Sequence, residues 1–519
     1  MKSRLLIGID IGTSGTKTAL YNEQGERLAV HTAEYPLYQP QNGWAEQEPE
    51  DWWQATLEGL SAVLRASACD PCDVVGIGLS GQMHGLVMLD EDGQVLRRSI
   101  IWCDGRTSEE CEEITRLVGE ERLMEITKSP ALTGFTASKI LWVRKHEPDL
   151  YQKCRHILLP KDYIRYRLTG AFATDASDAS GMQLLDIATR DWSDEVLTAL
   201  DIDRALLADV YESCEVTGTI TPELATQTGL SPATVVVGGA GDNAAAAVGC
   251  GVVRDGYGFT TIGTSGVVFS HCKELRVDPD GRIHSFCSAV PGEYHVMGVT
   301  LAAGLSLRWF RDQFCAVEQA EAKGLGVDPY TRMDEVATEI PIGADRLLFL
   351  PYLMGERTPH LDPFARGAFI GLSASHTRAH CLRAVMEGVI YSLRDCLSLF
   401  DAAGVTAPAR MMACGGGAVS PLWRQMLSDV LGCPVCTAAS NDGGALGAAL
   451  LAGVGAGVWE SVPAACDAVI RIRTEQSPIQ ENQTAFEPYY QLYHNAYAAL
   501  RPVCHTLATL KTSYQEDRT

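Results

Sequence analysis

Residues 5–17 read Leu5-Leu6-Ile7-Gly8-Ile9-Asp10-Ile11-Gly12-Thr13-Ser14-Gly15-Thr16-Lys17, an apolar strand that runs into a glycine- and hydroxyl-rich turn. The tetrapeptide Gly-Thr-Ser-Gly of this turn recurs at 263–266, again directly after an apolar run. The two copies lie 263 − 12 = 251 positions apart in a chain of 519 residues, which indicates two related halves. Because amides and hydroxyls in such a turn suit a phosphate group, we expect one phosphate-binding turn in each half.

The two turns differ in charge. Asp10 and Lys17 flank the first turn, whereas neither charge accompanies the second. A carboxylate after a buried strand is out of place unless it is paired or holds a cation. Beside a phosphate turn, Asp10 either contacts a hydrated Mg²⁺ or serves as a structural cap of the turn, and the pattern leaves both open.

Apolar runs separated by turn residues predict an α/β chain. Strands at 5–9, 16–21 and 27–34 form an antiparallel meander in this prediction, and a helix at 49–66 precedes a strand at 74–79. The latter strand ends in a polar loop, where α/β folds place their ligands. The second half repeats this order, and the chain is too long for one core. We therefore predict two domains, 1–247 and 248–519, that face each other across a cleft.

The composition of the chain indicates which binding partners are unfavourable and in which cellular compartment the protein is expected. The chain has 42 basic and 65 acidic residues, a net charge of −23, which disfavours nucleic acid or an anionic membrane surface as a partner. It shows no apolar stretch of membrane-spanning length and runs from Met1 straight into a strand, so we expect a cytoplasmic protein. Its 17 cysteines are predicted to be reduced. The C-x-x-C pairs at 69–72 and 433–436 lack a nearby Cys/His pair, which disfavours a zinc or redox role.

Asp242 lies in the loop Gly238-Gly239-Ala240-Gly241-Asp242-Asn243-Ala244, which superficially matches a dinucleotide-binding pattern. A carboxylate at this position would repel a pyrophosphate group. It is better suited to accept a proton from a substrate hydroxyl, as an aspartate does in kinases. The alternative is a turn-forming Asp-Asn pair.

A second candidate loop contains Gln82-Met83-His84. His84 either hydrogen-bonds a polyol hydroxyl or is a half-buried histidine satisfied by the protein, and Met83 is by default a core side chain. The three glycines at 415–417 suit close approach of a ligand or simply make a tight turn. We interpret five tryptophans as core anchors in preference to platforms for a sugar: Trp44, Trp52, Trp53, Trp102 and Trp142.

Taken together, these segments resemble the FGGY family of carbohydrate kinases over essentially the whole chain. The segments that carry the resemblance are 8–14, 44–47, 80–85, 101–106, 134–146, 159–163, 177–181, 239–243, 262–266, 351–359, 367–387 and 415–417. The family has two ribonuclease-H-like domains, the fold of actin, hexokinase and the 70-kDa chaperone ATPases, around a central cleft. We expect this α/β fold here.

The resemblance also implies roles for individual residues. It makes Asp242 the proton acceptor and Asp10 the residue that orients Mg²⁺, through water. The implied sugar site consists of Met83, His84, Asp242 and Asn243. The implied nucleotide site consists of Thr13, Ser14 and Lys17 on one side, Gly263, Thr264 and Ser265 on the other, and Gly304, Gly416 and Gly417. Glycerol kinases have an asparagine that contacts adenine at the position of Pro421. The resemblance therefore does not say how this chain would bind the adenine base.

The expected substrate is inferred from the loop at Met83 and His84. Glycerol kinases have an Arg-Glu pair at these two positions, so the loop distinguishes this chain from them. It most resembles family members that act on D-xylulose, so we expect ATP-dependent phosphorylation of this sugar at O5. The resemblance also suggests a homodimer. Ribulose, gluconate or another polyol remain alternatives for the substrate, followed by a nucleotide-gated binding protein without transfer activity and a dinucleotide-dependent oxidoreductase.

Overall fold

The computed structural model describes residues 4–440 and 442–510. Its strands are β1 Leu5–Ile11, β2 Gly15–Asn22, β3 Arg27–Glu34, β4 Glu46–Gln47, β5 Val74–Gly81, β6 Val87–Leu89, β7 Ser99–Ile100, β8 His156–Leu158, β9 Ala173–Asp175, β10 Leu185–Asp186, β11 Asp191–Trp192, β12 Asp209–Tyr211, β13 Val216–Thr219, β14 Val235–Val237, β15 Ala240–Gly241, β16 Tyr257–Ile262, β17 Gly266–Cys272, β18 His284–Cys287, β19 Tyr294–Thr300, β20 Leu348–Leu350, β21 Ala368–Ile370, β22 Arg410–Cys414, β23 Val435–Ala438 and β24 Ile472–Gln476. Its α-helices are α1 Pro49–Ser67, α2 Ser108–Val118, α3 Glu120–Thr127, α4 Thr136–His146, α5 Pro148–Lys153, α6 Pro160–Thr169, α7 Ala176–Ala179, α8 Asp194–Leu200, α9 Pro222–Thr228, α10 Asp242–Gly249, α11 Gly304–Phe314, α12 Ala316–Leu325, α13 Pro329–Thr338, α14 Arg378–Ala402, α15 Pro421–Leu431, α16 Gly443–Gly455, α17 Val462–Val469 and α18 Gln480–Thr509. Short 3₁₀ turns lie at Pro71–Asp73, Ser180–Met182, Arg204–Leu206 and Gly416–Val419.

The described residues form two compact units that are discontinuous in sequence. Unit 1 contains the described residues up to Asp255 together with His271–His295 and Ser440–Arg471. Unit 2 contains Gly256–Ser270, Val296–Ala439 and the described residues from Ile472 onwards.

The main sheet of unit 1 has the strand order β13-β14-β5-β1-β2-β3, with β15 paired to the end of β5. Strands β1, β2 and β3 pair antiparallel, which confirms the predicted meander. Strand β5 runs parallel to β1, and β14 and β15 run parallel to β5. The carboxyl ends of these four parallel strands therefore share one edge of the sheet, where ligand sites of α/β folds lie.

Helix α16 packs on β1 and β5 at backbone distance. Its sequence is Gly-Gly-Ala-Leu-Gly-Ala-Ala-Leu-Leu-Ala-Gly-Val-Gly, so few side chains keep it away from the strands. A Cβ atom added at Gly8 would overlap the carbonyl of Ala445, and one added at Gly78 would overlap that of Ala448. These glycines are needed because there is no space for a side chain between strand and helix.

Unit 2 repeats the arrangement of strands. Its sheet follows the order β19-β17-β16-β22-β23-β24. Strands β16 and β17 form an antiparallel hairpin, β22 and β23 continue in parallel, and β24 closes the edge antiparallel. The β16–β17 hairpin carries the second Gly-Thr-Ser-Gly turn as β1–β2 carries the first, so the sequence repeat is a structural repeat.

The compact units are not divided at residue 247, because residues 248–255, 271–295 and 440–471 all belong to unit 1. Residues 440–471, far into the predicted second domain, belong to unit 1 because α16 covers its sheet. The division into linear domains 1–247 and 248–519 stays a prediction. No helix within the described residues combines the length and apolar character that a membrane span requires.

Candidate active site

Asp10 lies at the carboxyl end of β1, beside the end of the parallel strand β5. The Ser80 hydroxyl donates a hydrogen bond to Asp10 Oδ1 at 2.6 Å. Burial raises the pKa of Asp10, while the Ser80 hydrogen bond and the charge of Lys17 oppose that rise. A Cβ atom at Gly444, in the first turn of α16, would lie 2.9 Å from Asp10 Oδ2. The carboxylate is therefore held close to a helix N-terminus, which favours its charged form.

Asp242 is the first residue of α10 and directly follows β15. Because β15 pairs with the end of β5, with Ala240 opposite Ser80, Asp242 lies at the same sheet edge as Asp10. Asp242 Oδ1 accepts hydrogen bonds from the backbone N–H of Asn243 at 2.7 Å and from its side-chain amide at 2.9 Å. Burial, reinforced by the charge of Asp10, raises the pKa of Asp242 to about 7. A carboxylate with that pKa is suited to general-base catalysis near neutral pH.

Met83 and His84 lie on the loop after β5 and pack against glycines of two other segments. Met83 is 6% exposed, and a Cβ atom at Gly241 would lie 2.9 Å from Met83 Cγ. The His84 ring stacks on Phe135 at 4.6 Å between centroids. Its Nδ1 lies 2.8 Å from the carbonyl oxygen of Gly181. Since a carbonyl only accepts, Nδ1 carries a proton in this hydrogen bond.

The backbone of His84 is left-handed, with φ of 68°. For a residue other than glycine this conformation costs about 1–2 kcal/mol, so surrounding contacts must hold it. Backbone strain of this kind is concentrated at ligand-binding sites.

The first glycine turn is tied to its neighbours through side-chain amides. Gln82 Nε2 donates to Gln47 Oε1 at 2.7 Å, and Gln47 Nε2 donates to the carbonyl of Thr13 at 2.7 Å. Trp102 Nε1 donates to Thr13 Oγ1 at 2.9 Å. Trp102 is 41% exposed, so its interpretation as a core anchor is wrong. Its indole is held at the surface by this hydrogen bond to the turn.

Lys17 and Ser14 of the first turn have different surroundings. Ser14 is exposed. Lys17 Nζ lies 3.3 Å from Asp442 Oδ1, which also pairs with Arg27 Nη1 at 2.6 Å. Asp442 thus neutralises part of the positive charge near the turn, a pairing that the sequence did not indicate. The predicted phosphate contacts of Thr13, Ser14 and Lys17 stay predictions.

Unit 2 contains a cavity of about 760 Å³ at its own glycine turn. It is lined by Gly263, Thr264, Gly304, Gly416 and Gly417 among others, so it brings together five of the six residues predicted here. The sixth, Ser265, accepts the Gly263 N–H through its carbonyl at 3.0 Å and is not among the lining residues. A cavity of this size matches those that bind small ligands.

The other wall of this cavity is largely apolar. Its residues include Leu307, Val419, Pro421, Leu422 and Trp423, with the carboxylates of Asp328, Asp334 and Glu335. A Cβ atom at Gly417 would lie 2.5 Å from the Trp423 ring, so the glycine lets the backbone lie on the indole. A flat base fits such a wall, and Pro421 contributes apolar surface at the position where glycerol kinases have an asparagine.

Two family models match the chain. The N-terminal domain of the FGGY family of carbohydrate kinases matches residues 5–249, and its C-terminal domain matches residues 258–456. The chain belongs to the FGGY family of carbohydrate kinases. As an FGGY kinase it is a phosphotransferase with an alcohol group as acceptor, and the family implies the use of ATP.

Individual relatives agree with this assignment. The FGGY kinase is 41% identical to a xylulose kinase of Bacillus subtilis (strain 168), over 95% of this chain and 97% of the relative. It is 40% identical to a xylulose kinase of Escherichia coli (strain K12), over 96% of this chain and 100% of the relative. A crystal structure of a xyloylose kinase from Brucella ovis superposes with a TM-score of 0.89 at 35% identity, covering 96% of this chain and 100% of that one. The two-domain α/β sugar kinase fold expected from the sequence is confirmed.

The carboxylates of unit 1 fit a hydrated Mg²⁺. The charge of Asp10 helps to raise the pKa of Asp242, so the two carboxylates are close enough to interact electrostatically. Within the described residues, no group of three or more His, Cys, Asp or Glu side chains is arranged to hold a metal ion. Mg²⁺ in phosphoryl-transfer enzymes is usually held by one or two carboxylates, waters and substrate phosphates. The donor set present suits that mode and not an all-protein cage.

Proposed function

We propose that this kinase transfers the γ-phosphoryl group of ATP to O5 of D-xylulose, giving D-xylulose 5-phosphate and ADP. The observation that carries the proposal is the Asp242 carboxylate, with a pKa of about 7, at the sheet edge that also holds Asp10 and the Met83–His84 loop. The names of the relatives support xylulose as the acceptor.

In the proposed reaction Asp242 accepts the O5 proton as that oxygen attacks the γ-phosphorus. The two hydrogen bonds from Asn243 keep the carboxylate in place. His84 Nε2 accepts a hydrogen bond from a sugar hydroxyl, and the Met83 side chain contacts the apolar face of the sugar. Positioned proton transfer of this kind contributes about 10²- to 10⁴-fold to the rate.

The nucleotide is assigned to residues of both glycine turns. Thr13, Ser14 and Lys17 would contact the phosphates, as would Gly263, Thr264 and Ser265, while Gly304, Gly416 and Gly417 would surround the rest of the nucleotide. Mg²⁺, oriented by Asp10 through water, would neutralise charge on the phosphates. The 17 cysteines all lie in the described part of the chain and none of them forms a disulfide bond, which supports the proposed cytoplasmic location. We also propose that the kinase forms a homodimer, as the family resemblance suggests.

A coupled assay of ADP release over D-xylulose, D-ribulose, D-gluconate and glycerol tests the choice of substrate. We expect kcat/KM for D-xylulose to exceed that for each other sugar by about tenfold or more. A preference of the same size for D-gluconate or D-ribulose would overturn the substrate. ATP binding without phosphorylation of any sugar would overturn the proposed activity.

A further inference from the structure

Lys139, on α4, is a fully buried lysine without an ion-pair partner among the described residues. Its side chain is 0% exposed, and its ammonium group donates to the carbonyl oxygens of His84 and Gly134, each at 2.7 Å. The other fully buried lysine, Lys161, instead lies 2.6 and 2.7 Å from the carboxylates of Asp162 and Asp175. A buried charge without a carboxylate partner is costly, so a neutral side chain of similar length would be the cheaper choice for packing alone.

The carbonyl that Lys139 contacts belongs to the strained residue of the sugar loop. Thr136, three positions earlier on α4, also donates to the His84 carbonyl, at 3.1 Å. Two donors on one carbonyl fix the peptide plane between His84 and Gly85. Turning that plane would change ψ of His84 and so shift the left-handed backbone that carries the ring, which stacks on Phe135 and hydrogen-bonds the Gly181 carbonyl.

We propose that Lys139 is a positioning residue for the sugar site, which holds the His84 carbonyl and thereby the orientation of the His84 imidazole. The inference rests on the proposed function, because it takes His84 to contact the sugar. Lys139 itself contacts the loop and not the substrate.

Because Lys139 can lose its charge, the affinity of the proposed site for the sugar should depend on pH. Burial lowers the pKa of Lys139 to about 7, partly offset by the charge of Asp104. The charged groups that act most strongly on it are Asp104, Arg106, Cys103 and Cys111, and His84, whose carbonyl it contacts, is a further titratable residue beside it. As the pH rises through about 7, Lys139 loses its proton and donates a weaker hydrogen bond, so affinity for the sugar should decrease.

The test compares Lys139→Met and Lys139→Gln with Ser138→Ala as matched control. Ser138 is a buried donor on the same helix whose hydroxyl bonds the Phe135 carbonyl at 3.0 Å and not His84. We expect Lys139→Met to raise KM for D-xylulose by about 10- to 100-fold with KM for ATP unchanged. Lys139→Gln, which retains an N–H donor, should recover part of this loss, and Ser138→Ala should leave both KM values as in the wild type.

The pH profile separates positioning from a purely structural role. The quantity to follow is the sugar KM of Lys139→Met divided by the sugar KM of the wild type. This ratio should fall by about threefold or more as the pH is raised from below 7 to above 7, because only the wild type loses a charged donor. Asp242 titrates in the same range but is common to both proteins, so its contribution cancels in the ratio.

Three results for Lys139→Met would contradict the proposed positioning role. A sugar KM within about twofold of wild type in a folded Lys139→Met, equal rises for sugar and ATP, or a ratio that does not change with pH would overturn the role of Lys139. If the wild-type protein phosphorylates no sugar, the proposed function fails first, and the variants are not needed to show it.

Discussion

Replacing Asp242 by asparagine should abolish most activity and yet stabilise the protein at alkaline pH. The change is nearly isosteric, and asparagine Oδ1 can still accept the hydrogen bonds that Asn243 donates at 2.7 and 2.9 Å. It removes the general base, for which we expect a loss in kcat of about 10²- to 10⁴-fold. It also removes a half-buried negative charge that lies near Asp10.

The size of the stabilisation follows from the pKa of Asp242. Burial and the charge of Asp10 raise this pKa from 3.8 to about 7, a difference of about 3 that corresponds to about 4 kcal/mol. Since the residue is only partly buried and keeps some contact with solvent, we expect about half of that, ~2 kcal/mol. A raised pKa means that the wild-type carboxyl contributes stability while protonated and loses it as the pH rises through about 7. The gain from asparagine is therefore largest above that pH.

Thermal unfolding of ligand-free protein at about pH 5 and about pH 8.5 measures this difference. Asp242→Asn should melt above the wild type at the higher pH, with a smaller gain at the lower one. Asp92→Asn, which changes an exposed loop carboxyl, is the control and should show no pH-dependent gain. A lower melting temperature of Asp242→Asn at alkaline pH, or the same gain at both, would refute the reasoning. Near wild-type turnover would refute the role as base.

Four further outcomes are expected. Gly78→Val should destabilise unit 1 by about 1–3 kcal/mol or more in thermal or urea unfolding, because its side chain would meet the Ala448 carbonyl; an unchanged melting temperature would contradict the packing. Gly417→Val should raise KM for ATP about tenfold and leave the sugar KM unchanged in steady-state assays, since the backbone could no longer lie on the indole beside it. Asp10→Asn should lower kcat about 100-fold and raise the Mg²⁺ concentration needed for half-maximal rate, and an unchanged Mg²⁺ titration would count against a metal role. In the wild type, kcat/KM for the sugar should fall about tenfold per pH unit below about 7 as Asp242 becomes protonated, whereas a flat profile would contradict its pKa.

Local features of the fold could be predicted from the sequence because local chemistry determines them. The β1–β2–β3 meander follows from apolar runs separated by turn residues, and both Gly-Thr-Ser-Gly turns connect hairpins as the repeat indicated. The family resemblance added membership of the FGGY kinases, which the family models confirm.

Contacts between distant segments could not be predicted in the same way. Nothing in the periodicity around Gly443 showed that α16 covers β1, because glycine and alanine give little directional pattern. The pairing of Lys17 with Asp442 joins residues 425 positions apart. The role of Lys139 depends on a backbone carbonyl, an atom that every residue carries and that leaves no mark in the sequence. Trp102 was misread since an aromatic residue is usually buried, and its hydrogen bond to Thr13 has no sequence signal.

The late position of α16 in the chain bears on how the protein is made. Synthesis runs from the N-terminus, so the strands β1 and β5 leave the ribosome hundreds of residues before the helix that covers them. Until residues 440–471 have emerged, the glycine-lined face of that sheet has no partner from its own unit. The sheet edge that carries the first glycine turn is therefore completed only after a helix encoded hundreds of residues later has been made, and an uncovered face of this kind favours aggregation until then.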